Sequence, residues 1–278
     1  MDDLNDEKLN EENLSEEELL EEEFEFNHSD KMVGLFSEPS NMFSKLAKAP
    51  AKTMDWLIPL LIFIVVLSLS TIIMQSNPQI RYSMIEKQTE AIEKNFSEAV
   101  NTGRMTQEQA DTQIESIRER MQEGGMAMLI PQIVGIVIFT FIVFFVLSGF
   151  YFLIARFVLK GEGPYGNAMV AYGLTFYIAS VQVILQVIVA MLMSKMVSDL
   201  SVATFLDMAK TDFVGFLLGK LDLFSIWFYV VVGIGLAKMF KSDNTKKYVI
   251  TVIALWFGFS LLFFYLAKAV PFLSFLNQ

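Results

Sequence analysis

Five stretches of the chain lack the alternation of polar and apolar positions that marks a surface helix or a half-buried strand. Residues 57–74, 129–155, 168–193, 223–239 and 248–266 are apolar almost throughout, and of Asp, Glu, Lys and Arg only Lys238 falls within them. A helix needs about 20 predominantly apolar residues to cross a hydrocarbon core roughly 30 Å thick. Each run therefore predicts a spanning helix whose backbone groups are bonded internally. Barrel strands would instead alternate apolar and polar over about ten residues. The predicted fold class is all-α, a polytopic membrane protein with five transmembrane helices.

The segments between the runs carry their own patterns. In 81–125, Ile85, Ile92, Phe96, Ala99 and Val100 recur at helical spacing and Gly103 suits a C-terminal turn. Thr106 and Gln109 form a capping box that opens a second helix striped by Ala110, Ile114, Ile117 and Met121. An extracytoplasmic helical hairpin is expected there, as a lid or spacer or as a partner-binding element. Residues 202–220 mix polar and apolar positions, which fits an amphipathic surface segment or a re-entrant one.

Residues 34–50, "GLFSEPSNMFSKLAKAP", have a start and a stop but are too few to span. Ser37 can cap, Pro39 suits a first turn and Pro50 ends the helix. Pro39, Met42, Phe43, Leu46 and Ala47 share one face, and Lys45 and Lys48 lie opposite with Ser40, Asn41 and Ser44. This predicts an interfacial amphipathic helix lying in the membrane plane, with Phe36, Met42, Phe43, Lys45, Leu46 and Lys48 as its membrane-interface residues.

Composition and charge refine that picture. The 278 residues are 54% hydrophobic, include 26 Phe and have a mean hydropathy of +0.46. The formal net charge of −10 is unevenly spread: residues 1–30 hold 14 acidic side chains against Lys8, which leaves the remainder positive. An acidic cytoplasmic tail, 1–33, with little to bury is expected to be disordered and solvated. Its Leu14, Leu19, Leu20, Phe24 and Phe26 could alternatively dock on a basic partner. Lys45, Lys48 and Lys52, then Arg156 and Lys160, then Lys238, Lys241, Lys246 and Lys247 flank three membrane boundaries that fall on one side of a five-span chain. The rule that basic residues stay inside assigns that side to the cytoplasm. The N-terminus has no basic region followed by an early apolar core, so no cleaved signal peptide is expected.

Candidate chemistry is sparse. There is no Cys, and His28 is the one histidine. No catalytic, cofactor-binding or metal-ligating set emerges, nothing points to nucleic acid, and a non-enzyme is expected. Gly161-Glu162-Gly163-Pro164-Tyr165-Gly166 matches a dinucleotide fingerprint, yet it follows a lipid-spanning helix rather than a strand and Pro164 removes a donor, so it predicts a tight cytoplasmic turn. Tyr172, Thr175, Ala179, Gln182 and Gln186 follow one helical face of the third span. That face is expected either to hydrogen-bond neighbouring helices, with Thr140, Tyr229 or Thr251 as partners, or to line a polar cavity or lipid headgroup site. Asp222, with Ser225 behind it, suits the N-cap of the fourth span, or a functional acid at the boundary. Asp55 and Asp222 are expected on opposite sides.

Three of these stretches carry a family resemblance. The 34–50 segment followed by "WLIPLLIFIVV", the turn "GEGPYGNAMVAYG" at 161–173, and "LDLFSIWFYVVVGIGLAKMF" at 221–240 resemble prokaryotic members of the Yip family of Ypt/Rab GTPase-interacting membrane proteins. The resemblance covers 34–266 and implies five spans with a cytoplasmic N-terminus. Eukaryotic relatives are linked to Rab GTPases and membrane shaping, but the Asp-Leu-Tyr-Gly-Pro type motif expected before their first span is missing, so GTPase binding does not carry over. The expectation is a non-enzymatic scaffold or adaptor in a prokaryotic cytoplasmic membrane. Its partners would be the lipid bilayer and an unidentified membrane or cytoplasmic protein, and a homo-oligomer is compatible with the pattern. The alternative is a small-solute or lipid transporter built on the polar face of the third span.

Overall fold

The structure, a computed structural model, describes residues 27–123 and 125–269. Among them the chain is helical and contains no strand. Most of the expected acidic tail lies outside the described residues, but its end does not behave as a tail. Asn27 accepts a hydrogen bond from the Asp30 amide at 2.8 Å and so caps helix α1 (His28–Ser37). Glu38 breaks the chain, and α2 (Pro39–Leu46) follows with its proline in the first turn.

The expectation for 34–50 needs correcting on this point. The apolar face of α2 is turned into the protein: Met42 and Phe43 are buried, as is Leu35 on α1. The seat exists because Gly235 lacks a side chain, so that a Cβ there would stand 2.9 Å from the Phe43 ring. Of the six expected interface residues, Met42 and Phe43 are therefore core, Phe36 and Leu46 pack partly buried against the core, and Lys45 and Lys48 remain exposed. Apolar burial against a preformed groove satisfies the same stripe that a membrane surface would have covered.

Helix α3 (Thr53–Ser76) is the first span. After a break at Asn77 come α4 (Pro78–Asn101) and α5 (Gln107–Glu123), which pack on each other as a hairpin. Thr106 and Gln109 cap each other, at 3.2 Å from the Gln109 amide and 3.0 Å from the Thr106 amide. Gly103 takes φ +69°, a conformation that glycine adopts without strain. Arg118 of α5 closes the pair with a 2.8 Å salt bridge to Glu93.

The second span is α6 (Gly125–Leu153), which runs into a π-helical turn, Ile154–Val158. The third is divided: Thr175 separates α7 (Tyr165–Leu174) from α8 (Phe176–Met193), although the two together form one stretch of crossing length. The segment 202–220 holds two short helices, α9 (Val202–Phe205) and α10 (Phe213–Gly219). Asp207, in the left-handed region at φ 54°, lies in the turn between them.

Helix α11 (Leu223–Met239) has 17 residues. At about 1.5 Å per residue it is shorter than the hydrocarbon core. It reaches crossing length only jointly with α10, from which it is bent by 62°. The last span is α12 (Thr245–Ala269). Among the described residues, four helical stretches are thus long and apolar enough to cross a membrane, or five if the bent pair α10 and α11 is counted as one span. The protein is an all-helical, polytopic, integral membrane protein.

Its core lies where α3, α6, α7, α8 and α11 meet. Trp56 stacks on Phe144 at 5.0 Å, Phe144 on Tyr172 at 5.8 Å, and Phe228 meets Tyr172 edge-on at 5.9 Å. Offset and edge-on rings of this kind add about 0.5–1.5 kcal/mol per pair beyond area burial. Close approach of α11 and α12 depends on Gly233, where a Cβ would stand 2.6 Å from the Val249 Cα. Ile130, Val134, Ile138 and Phe139 on α6 remain exposed, as residues facing lipid do.

Candidate functional site

Three polar junctions tie separate segments of the bundle together. The first fixes the N-terminal helices. Lys31 of α1 reaches Asp55, in the first turn of α3, with Nζ 2.6 Å from Oδ1 and both side chains more than nine-tenths buried. A pair so desolvated stands or falls as a unit, because removal of either member strands a buried charge. His28, one turn earlier on α1, is held below its usual pKa, first by burial and then by the Lys31 charge, while Asp55 pulls the other way. Phe36 at the far end of α1 meets Trp227 of α11 edge-on at 5.2 Å. Together α1 and α2 form a clamp across α3, α7 and α11. Sequence reasoning missed Lys31, whose apolar neighbour Leu35 one turn on was the available signal.

The second junction gathers three loops at one end of the bundle. The Glu162 amide donates to the Phe240 carbonyl at 2.9 Å, and Asn167 Nδ2 donates to the Met239 carbonyl at 2.7 Å. Two of the last carbonyls of α11 are thereby satisfied by the turn before α7 and by the first turn of α7 itself. Gly161 lets this turn close on Phe240, whose Cβ would lie 2.7 Å from a Cβ at that position. Ala51, before α3, packs against Gly166 in the first turn of α7. The Gly-rich turn is therefore a helix-end clasp between α7 and α11.

The third junction lies at the other end, around Asp222. Its Oδ1 accepts from the Phe224 and Ser225 amides at 2.9 and 3.1 Å, which caps α11. Its Oδ2 accepts from the Leu200 amide at 3.1 Å and from Gln182 Nε2 at 2.9 Å. The residue is 1% exposed. Beside it Asp199 bonds Lys210 and accepts from the Ser201 amide at 3.1 Å and the Thr204 hydroxyl at 2.6 Å. Burial pushes the Asp199 carboxyl up, but these hydrogen bonds outweigh it and leave its pKa below the usual carboxylate range.

The polar face expected on the third span makes hydrogen bonds and ring contacts within the described residues. Tyr172 sits among aromatic rings, and Thr175 spends its hydroxyl on the Tyr172 carbonyl at 2.6 Å. Gln182 bonds Asp222 and, at 3.4 Å, the Ser225 hydroxyl, while Gln186 donates to the Ser198 carbonyl at 2.8 Å. The glutamines thus hold the loop after α8 and the start of α11, rather than Thr140, Tyr229 or Thr251. Tyr229 stacks on Trp256 at 4.8 Å, and Thr251 donates to the Lys247 carbonyl at 2.8 Å. Asp55 and Asp222 stand at different junctions and share no bond. Among the described residues no group of His, Cys, Asp and Glu is placed to hold a metal ion.

With an N-terminal clamp and loops clasped over the end of α11, the chain is a polytopic helical membrane protein. The Yip1 domain family model matches residues 33–266, and the chain belongs to the Yip1 domain family. No curated protein sequence and no solved structure matches the chain.

Proposed function

We propose that this Yip1-domain protein is a non-enzymatic scaffold that organises partner proteins or lipids at a membrane. In this reading the clamp and the clasped loops face the cytoplasm, and the α4–α5 hairpin faces the opposite side. The excess of Lys and Arg around 45–52, 156–160 and 238–247 supports that orientation. A prokaryotic cytoplasmic membrane is the setting that the family resemblance favours.

The observation that carries this reading is where the buried polar side chains are spent. Lys31 on Asp55, Asn167 on the Met239 carbonyl and Gln182 on Asp222 each close a contact between segments of the fold. Exposed charged groups lie on the loops, on the outer faces of α1 and α2, on the hairpin and at the ends of α12. A protein arranged in this way presents surfaces while its interior holds shape.

The test is an inventory of proteins and lipids that co-purify with the intact chain from native membranes. A control runs an unrelated membrane protein of similar size. A defined set enriched with this chain is expected, and an inventory no different from the control overturns the scaffold. Solute flux in reconstituted vesicles that is lost in Gln182→Leu and Gln186→Leu variants of unchanged melting temperature would replace it with a transporter.

A further inference from the structure

Two features fit each other and are joined by the same chain. The second junction brings three short segments to one end of the bundle, and with them Lys52, Arg156, Lys160, Lys241, Lys246 and Lys247, all exposed. None of these six makes a salt bridge to a described residue. Only Glu162 and Asp243 offset them locally on the two loops. The loops cannot disperse this charge, because the Glu162 amide is bonded to the Phe240 carbonyl and Asn167 to the Met239 carbonyl. Like charges held together on a rigid platform produce a positive potential that a flexible loop would relieve.

Residues 1–26 carry 13 acidic side chains against Lys8 and lead directly into α1, which is anchored in the clamp. A segment of this length can extend on the order of 90 Å at about 3.3–3.6 Å per residue, enough to reach any part of that end. Tethering also gives it an effective local concentration on the order of millimolar, which no free acidic partner needs to match for the contact to form.

We propose that residues 1–26 dock on the basic end of their own chain. The contact is electrostatic and therefore reversible. Anionic lipid headgroups or an acidic partner protein would compete with the segment for the same lysines. This goes beyond the scaffold reading and stands without it.

The absence of native cysteine makes the contact directly measurable. The full chain carrying Ser15→Cys and Ser242→Cys is placed in phosphatidylcholine vesicles and treated with a short bis-maleimide. An intramolecular cross-link is expected at about 0.05 M salt and is expected to disappear at about 1 M, where the screening length falls to about 3 Å. It is also expected to disappear in a Lys241→Glu, Lys246→Glu, Lys247→Glu variant whose melting temperature is unchanged, and to weaken in vesicles containing phosphatidylglycerol. A parallel protein with Ser15→Cys and Ser97→Cys, the latter exposed on α4, should give no product. Absence of the cross-link at low salt, its survival in the charge-reversed variant, an equal product with Ser97→Cys, or a product only between two molecules would overturn the proposal. None of these outcomes bears on the scaffold reading, which the co-purification inventory decides separately.

Discussion

Asp55 and Asp222 are the same residue type in nearly the same place, a buried carboxylate at the start of a membrane-embedded helix, yet the protein satisfies them by opposite means. Asp55 is balanced by a full charge, Lys31, that arrives from another helix 24 residues earlier. Asp222 is balanced by neutral donors, namely two amides of its own helix start, the Leu200 amide and the Gln182 side chain. The first arrangement ties a distant segment to the bundle by charge. The second is a local cap extended into a junction, where amide dipoles and the helix N-terminus carry the compensation.

Removing the cation separates the two most sharply. Lys31→Met strands the Asp55 carboxylate in a buried site and should cost about 3–5 kcal/mol. The double variant Lys31→Met, Asp55→Leu should recover most of that loss, since a buried pair replaced by apolar side chains of similar volume is often neutral. Melting temperatures of the single and double variants in one detergent check this. Additive losses would mean that the two residues are not coupled.

Next in size is the contrast between asparagine substitutions. Asn retains an acceptor oxygen and caps helices as well as Asp does. Asp222→Asn should therefore cost only about 1–2 kcal/mol, the loss falling on the Leu200 and Gln182 donors that face the second oxygen. Asp55→Asn leaves Lys31 buried without a counter-charge and should cost about 3 kcal/mol or more. Equal losses at the two sites, read by the same melting assay, would erase the distinction between a charge pair and a cap. Gly233→Ala tests apolar packing away from both carboxylates. Its Cβ would stand 2.6 Å from the Val249 backbone, so α11 and α12 must separate, at about 1–3 kcal/mol.

The same contrast explains what could be read from the chain. The cap at Asp222 uses amides two and three residues on, a spacing visible in "LDLFS". The Thr106 and Gln109 capping box is local in the same sense, and so are the apolar runs that became the spans. Leu35, one turn on from Lys31, hinted at a buried face, but the identity of the partner was out of reach because Asp55 lies 24 residues away in sequence. The stripe of α2 was legible as a stripe, but an apolar face records only that something covers it. That the cover is a groove opened by Gly235, rather than lipid, is a tertiary fact. The targets of Gln182 and Gln186 were hidden for a related reason. Their face was evident, but the loop after α8 that meets them has no periodic signal of its own.

The smallest effect is one of pH, and it should touch only the Lys31 end. His28 has its pKa lowered in the docked state, so the undocked clamp binds the proton more readily. Above the ordinary histidine value of about 6.5 the ring is neutral in both states and docking is unaffected. As pH falls from there through the depressed docked value, docking of α1 weakens, and below that value the loss reaches a plateau. The buried Nδ1, which has no partner among the described residues, is consistent with a ring held neutral there. A reporter at Leu35→Cys, buried when α1 is docked, should gain maleimide reactivity between pH 6.5 and 5 relative to a reporter at the exposed Ser29→Cys. Normalising to the second cysteine removes the ordinary fall of thiol reactivity with acid. The gain should vanish in His28→Gln, and a reporter at the buried Ala203→Cys near the Asp222 junction should not show it. If Leu35→Cys and Ala203→Cys open together as pH falls, the change is global and the two junctions are not separately tuned.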